Sequence, residues 1–138
     1  MAWFESHLNG GSTPIPKLNI YEGKVDLSSG TVVSDSDYYY TDFFPNPNGT
    51  LIFSMGESSS SYYIGLEMCD DSGSNMNYWS ASSNPRIVDC SYYYSIGCRK
   101  LRASFKKSHI NDVYWIDITT NTMYSVEINP VEIQITPT

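Results

Sequence analysis

The side chains that could do chemistry in this chain are mainly carboxylates and tyrosines. There are two histidines, His7 and His109, and nothing near His109 in the sequence supports a Ser-His-Asp or Cys-His arrangement. We therefore interpret His109 as an exposed loop residue. A glycoside hydrolase needs two acids held across a cleft. The sequence spacing of the candidate aspartates does not reveal such a pair; the candidates are Asp70, Asp71, Asp89, Asp112 and Asp117. From the sequence we expect that this protein is not an enzyme.

The sequence evidence for a metal or redox site is equally weak. The segment 70–75, Asp-Asp-Ser-Gly-Ser-Asn, is rich in oxygen ligands. It lacks the glycine at the position that an EF-hand loop requires, and it lacks the bidentate glutamate, so we favour a hairpin turn. Cys69, Cys90 and Cys98 fit neither a zinc knuckle nor a C-x-x-C pair. We expect reduced thiols and no cofactor or metal, with a Cys90–Cys98 disulfide as the alternative in an oxidising exterior.

Aromatic side chains provide the best candidate for recognition. Twelve tyrosines and three tryptophans exceed what one small core can hold, so several rings must face water or a partner. Successive side chains of a strand alternate between its faces, so part of each tyrosine cluster is core, and the sequence does not say which part. Trp115, inside an apolar strand, is interpreted as core. The candidate ligand-binding residues are Tyr78, Trp79, Arg86, Asp70, Tyr92 and Tyr94.

Five of the eight basic residues fall in one short stretch. They could bind an anionic polymer, or they could pair across a sheet with acidic residues of neighbouring strands, and we favour the pairing. The five are Arg99, Lys100, Arg102, Lys106 and Lys107.

Composition excludes several classes of partner. Eight Lys and Arg against fifteen Asp and Glu give a net charge of −7 and a pI near 4.5, which opposes binding to nucleic acid. No segment approaches the roughly 20 apolar residues that span a bilayer, and the amino end has no basic n-region. We expect no membrane insertion and no signal peptide.

Short segments of alternating apolar and polar residues, separated by turn residues, predict a series of β-strands. Residues 23–27 and 31–33 indicate one hairpin, residues 113–118 and 123–128 indicate another, and no window shows a capped apolar stripe typical of a helix. The sequence predicts a tether over 1–19 and an all-β, antiparallel two-sheet sandwich over 20–138, with Val131–Ile135 as a possible edge strand. The predicted core is Val25, Ile52, Ile64, Leu66, Leu101, Ala103, Phe105, Ile116 and Val126.

From Gly23 to Ile128 the order of signals resembles that of small, carbohydrate-binding-module-like jelly-roll domains in tail, baseplate and fibre proteins of phages and prophages of Gram-positive bacteria. The matching segments are Gly23–Asp26 with Ser29-Gly30, Tyr40–Phe44, Asn48–Thr50, Ile64–Asp70 and Leu101–Phe105. The start of the chain, Met-Ala-Trp-Phe-Glu-Ser-His-Leu, is also similar to that of small prophage tail reading frames. Cys69 stands where the family often has Tyr or Phe.

The resemblance implies a jelly-roll fold and a non-enzymatic, tail-associated module that binds host-surface carbohydrate, as a receptor-binding or adhesion accessory. The implied partners are a host-surface glycan and phage tail or baseplate proteins. The implied location is the virion, or the cytoplasm of the lysogenic host before assembly. The alternative is a structural or oligomerisation protein of the particle with no glycan ligand. The apolar pair Trp3-Phe4 and this setting favour a homotrimer.

Overall fold

A computed structural model describes residues 17–128. The described part is strand-rich, with one five-residue helix and one short 3-10 turn, Lys107–His109. In chain order the elements are β1 (Lys17–Glu22), β2 (Lys24–Val25), β3 (Val32–Val33), β4 (Tyr38–Thr41), β5 (Phe44–Pro45), β6 (Thr50–Met55), β7 (Gly65–Cys69), β8 (Asn75–Ser80), β9 (Arg86–Asp89), α1 (Ser91–Ser95), β10 (Lys100–Lys106), β11 (Val113–Asp117) and β12 (Thr122–Ile128).

One curled, mixed sheet forms the body of the protein. Its order is β8-β7-β10-β4-β1-β12-β11-β6-β9, and β5 pairs with β10 beyond the end of β4. All pairs in it are antiparallel except β1 with β12, which run parallel. The all-β class is confirmed. The prediction of a purely antiparallel architecture is corrected, because the parallel pair joins the first half of the sheet (β8, β7, β10, β4, β1) to the second half (β12, β11, β6, β9).

The core lies inside this curl. The Phe44 ring stacks on Trp115 at a centroid distance of 5.1 Å, and Tyr124 lies 5.2 Å from Phe44. Trp115 is fully buried, as predicted. The other core predictions that the structure confirms as buried are Val25, Ile64, Leu66, Leu101, Ala103 and Phe105, and Val126 is partly buried against the core.

Two predicted core residues point the other way. Phe53 pairs with Trp115 and is fully buried, so its neighbour Ile52 lies on the outer face of the sheet, opposite Ile116. The prediction failed because Leu51-Ile52-Phe53 is apolar on both faces, and a period of two cannot choose between two apolar faces. The second half of the sheet therefore carries apolar side chains on its outside.

The predicted hairpin β2–β3 forms and packs over the outer face of the first half. Val25 and Leu27 are fully buried there, and the Val25 amide donates to Ser104 Oγ at 3.2 Å. Gly30 has φ +83°, and a Cβ on it would lie 2.6 Å from Glu67 Oε2. A glycine is thus needed where the hairpin loop closes over Glu67.

The aromatic segment 38–45 runs along β10 with one interruption. β4 and β5 both pair with β10, and between them the Thr41 hydroxyl accepts a hydrogen bond from the Ala103 amide at 3.0 Å. The side chain thus replaces a missing backbone acceptor. Phe43, in the interruption, lies beneath Arg102, whose guanidinium carbon is 4.5 Å from the ring centroid.

Residues 17–19, which the sequence interpretation assigned to the tether, form the start of β1. The tether residues 1–16, including Trp3 and Phe4, and the predicted edge strand Val131–Ile135 lie outside the described residues. Within 17–128 no helix is long and apolar enough to cross a membrane.

Candidate functional site: a cleft beside the β7–β8 turn

The carboxylate of Asp70 holds the turn between β7 and β8. Its Oδ1 accepts hydrogen bonds from the Ser72 amide at 3.0 Å, the Ser72 hydroxyl at 2.7 Å and the Ser74 amide at 2.9 Å. These bonds, with the Ser72 hydroxyl foremost, hold the pKa of Asp70 below its ordinary value. Asp70 is therefore a fixed negative charge at this end of the sheet.

The helix α1 and the segment after it place Arg99 beside this turn. Its Nη1 donates to the Tyr94 carbonyl at 2.6 Å and to the Cys98 carbonyl at 3.3 Å, while the guanidinium carbon lies 3.9 Å from the Tyr94 ring centroid. These contacts fix the direction of the side chain. The N–H groups on Nη2 and Nε take no part in them, which leaves planar donors for a ligand.

Two adjoining depressions open between the turn and Arg99. One, of about 360 Å³, is lined by Phe43, Phe44, Pro45, Asp71, Arg99 and Lys100. The other, of about 490 Å³, is lined by Asp70, Asp71, Ser72, Gly97 and Arg99. Because Asp71 and Arg99 line both, we treat them as one shallow site, the end cleft, whose size suits a small ligand or one or two sugar rings.

Basic side chains in the end cleft have no acidic partner among the described residues. Arg99 and Lys100 form no ion pair there, whereas Arg102 pairs with Glu67, Lys106 with Glu57 and Lys107 with Glu22. Ion pairs with acidic residues thus account for three of the five residues of the basic stretch, but only Arg102–Glu67 joins neighbouring strands, as the favoured interpretation predicted. The two unpaired cations and the two aspartates give the end cleft both donors and acceptors.

Three of the predicted site residues lie on the elements that form this end. Asp70 lines the end cleft and Tyr94 stacks under Arg99. Tyr92 is 63% exposed and lies two residues from Tyr94 on one helical turn, so about 200° separates their directions. Its ring contacts Tyr93 at 5.1 Å, which places it on another side of α1.

The other three predicted residues lie elsewhere. Trp79 is 7% exposed and meets the Tyr93 ring edge to face at 5.4 Å, so its indole belongs to the core and offers no open face for stacking on a sugar. Tyr78 is half-buried on the outer face of β8, where the strand register places it opposite Glu67 of β7. Arg86 donates to the Ser80 carbonyl at 2.7 Å, at the end of β8 opposite the Asp70 turn. The structure does not unite these residues with the end cleft.

The residues that sequence reasoning missed are Phe43, Asp71, Lys100 and Arg99. Arg99 and Lys100 belonged to the recognised basic stretch, but no pattern separated them from the three that pair with carboxylates. The one available signal was position, because both precede the alternating run that begins at Leu101. Phe43 lies in the break between β4 and β5.

The histidine and the cysteines of the described part lie away from the exposed surface of the cleft. His109 Nε2 is 3.2 Å from Glu57 Oε2, at the opposite end of β10 from Lys100. Cys69, Cys90 and Cys98 are unpaired and fully buried, in line with the expected reduced thiols. Burial raises the pKa of Cys90 to about 12, so this thiol stays protonated near neutral pH.

Comparison of the chain with protein-family models, with curated proteins and with solved structures finds no match in any of the three.

Proposed function

We propose that this protein is a non-enzymatic carbohydrate-binding module of a phage or prophage particle, and that the end cleft binds a glycan of the host surface. The observation that carries the proposal is Arg99, which is fixed by Tyr94, lines the end cleft together with Asp71 and has no carboxylate partner among residues 17–128. Sugar hydroxyls accept hydrogen bonds from a guanidinium and donate to a carboxylate. Aromatic rings such as Phe43 contact the apolar faces of sugars.

The proposed role is binding and not catalysis. A histidine general base would have to lie within hydrogen-bond reach of the substrate, and His109 lies at the far end of β10, about 20 Å along a seven-residue strand. Asp70, one of the acids that line the cleft, is fixed as a charged acceptor in its turn. A carboxyl group that donates a proton to a leaving group needs a raised pKa, the opposite of what this turn produces.

The phage setting, the partnership with tail or baseplate proteins and the jelly-roll relationship rest on the sequence resemblance. The curled all-β sheet is compatible with a sandwich-like domain, and the parallel β1–β12 pair is the feature that a jelly-roll relative would have to share. An experimental structure of a virion tail containing this chain tests the setting. Absence of the chain from purified particles would contradict it.

Glycan binding is tested by retention on Gram-positive cell walls and by a glycan array. Arg99→Ala removes the fixed donors and should weaken binding about tenfold or more, since a hydrogen bond to a charged group contributes about 1.5–3 kcal/mol. Arg86→Ala is the matched control, because Arg86 contacts the Ser80 carbonyl away from the end cleft. Equal losses for the two variants, or retention of Arg99→Ala at the wild-type level with an intact circular dichroism spectrum, would contradict the proposed site.

A second candidate function, a structural protein of the particle, is favoured by a different observation. The outer face of the second half of the sheet carries a row of apolar side chains, and such faces are typical of protein interfaces.

A further inference from the structure

One edge of the Arg99 guanidinium is unused within the described residues. Nη1 donates to the backbone carbonyls of Tyr94 and Cys98, and the Tyr94 ring lies 3.9 Å from the guanidinium carbon. The remaining edge, formed by Nε and Nη2, carries two parallel N–H groups with no hydrogen-bond partner among residues 17–128. Such an edge can bind two oxygen atoms of one acidic group.

Arg102 of β10 shows what the same edge binds elsewhere in this fold. Its Nε and Nη2 donate to the Glu67 carboxylate at 3.0 and 2.7 Å. Its guanidinium also lies over an aromatic ring, with the carbon 4.5 Å from the Phe43 centroid. Arg99 therefore has the aromatic support that Arg102 has, but the carboxylate is missing among the described residues.

Lys100 adds a second cation to the same cleft. Its ammonium lies 5.8 Å from the Phe43 centroid and forms no ion pair within residues 17–128. The chain has fifteen acidic and eight basic residues, so carboxylates are in excess. The basic residues that pair with them are Lys17, Lys24, Arg102, Lys106 and Lys107. Arg86 donates to a backbone carbonyl, and only Arg99 and Lys100 line one depression together without an acidic partner among the described residues.

Given the glycan-binding function proposed above, on which this inference rests, we propose that the end cleft is specific for acidic glycans. A carboxylate or phosphate group of the ligand accepts from Nε and Nη2 of Arg99, and Lys100 supplies a second positive charge. The two depressions fix the orientation of the ligand. Its acidic group lies in the one that both cations line, and its neutral hydroxyls lie in the one that Asp70 and Asp71 line, because these carboxylates accept from hydroxyls and repel anions.

Titration calorimetry with two matched pairs of saccharides tests the proposal. One pair is oligogalacturonate and its methyl ester, and the other is dextran phosphate and dextran. The charged member of at least one pair should bind about tenfold or more tightly than its neutral partner, and the preferred pair identifies the acidic group as carboxylate or phosphate. The difference should shrink as NaCl is raised from about 50 to about 500 mM, since salt screens exposed charges.

Three variants assign the preference to the end cleft. Arg99→Lys keeps the charge but loses the two parallel donors, so it should weaken binding of the charged probe about tenfold. Lys100→Gln should weaken it severalfold. The matched control is Lys106→Gln, which removes the same charge at the opposite end of β10, where Lys106 pairs with Glu57, and should stay within about twofold of wild type. Circular dichroism checks that each variant is folded.

Two outcomes would overturn the specificity for acidic glycans. One is equal binding of the charged and neutral members of both pairs; if Arg99→Ala still abolished that binding, the end cleft would remain a glycan site without this specificity. The other is a preference for charged probes that Lys100→Gln and Lys106→Gln reduce equally, which would assign it to overall charge. Absence of binding to all four saccharides, together with no retention on cell walls, would overturn the proposed function as well.

Discussion

At the residue scale, burial decides what each aromatic ring can do. Trp79 and Tyr78 are neighbours on β8, yet Trp79 packs against Leu66 and Tyr93 while Tyr78 lies on the outer face. The exposed ring is Tyr92, which contacts Tyr93 and through it Trp79. An aromatic ladder thus leads from the surface of α1 into the core, and only its outer end is available to a partner.

Trp79→Ala should destabilise the protein by about 3–5 kcal/mol, because it removes a large buried side chain and leaves a cavity. Urea unfolding followed by circular dichroism measures the loss. Tyr92→Ala, at the exposed end of the same ladder, is the control and should cost about 1 kcal/mol or less. A loss for Trp79→Ala no greater than that of the control would show that the indole is not part of the core.

At the element scale, polar contacts attach the β2–β3 hairpin to the sheet. Glu67 is fully buried; its Oε1 accepts from Arg102 Nη2 at 2.7 Å and Nε at 3.0 Å, and its Oε2 accepts from Asn75 at 2.9 Å. Arg102 also donates to the Gly30 carbonyl of the hairpin loop at 3.2 Å. One ion pair therefore joins β7, β10 and the hairpin.

Removing one partner of this ion pair should lower the free energy of unfolding more than removing both partners. Arg102→Met leaves the Glu67 carboxylate buried without its cation and should destabilise by about 3–5 kcal/mol, whereas the double variant Glu67→Met, Arg102→Met should lose less than the sum of the single changes. Urea unfolding of the four proteins of this cycle measures the coupling. Additive losses would mean that Glu67 and Arg102 are not energetically coupled.

Aspartates define several turns in the same way. In each case the carboxylate accepts from the backbone N–H two residues later, which is an Asx turn. The pairs are Asp26 with Ser28, Asp35 with Asp37, Asp70 with Ser72, Asp89 with Ser91 and Asp117 with Thr119. The turn chemistry of this fold is therefore local and readable from short sequence patterns.

At the scale of the whole molecule, these turns couple folding to pH. Hydrogen bonds lower the pKa of Asp26, Asp35, Asp70 and Asp89 in the fold: mainly from the Ser28 and Ser72 hydroxyls for Asp26 and Asp70, and from backbone N–H groups for Asp35 and Asp89. Their ordinary value is 3.8. Because the folded pKa is the lower one, the stabilisation is complete above the unfolded value and is lost as the pH falls through the folded values.

The melting temperature should therefore stay level from pH 7 to about 5 and fall steeply below about 4. Thermal melts between pH 7 and 2 measure this dependence. Replacing Asp26 and Asp70 by asparagine keeps the turn acceptors but removes the titrating groups, so the fall should become shallower. An unchanged pH profile in that double variant would assign the acid sensitivity to other groups.

The sequence by itself determined the all-β class, both hairpins, the buried face of β10 and the near absence of helix, because these follow from local alternation and turn residues. Only the tertiary structure decided the parallel pairing of β1 with β12, which joins the two halves of the sheet across about a hundred residues of chain. It also decided that Trp79 is core and that Ile52 and Ile116 face outward, since an alternating pattern that is apolar on both faces has no preferred side. The end cleft also depends on the tertiary structure. Phe43, Asp71 and Arg99 come from three separate segments, and only long-range strand pairing places them together.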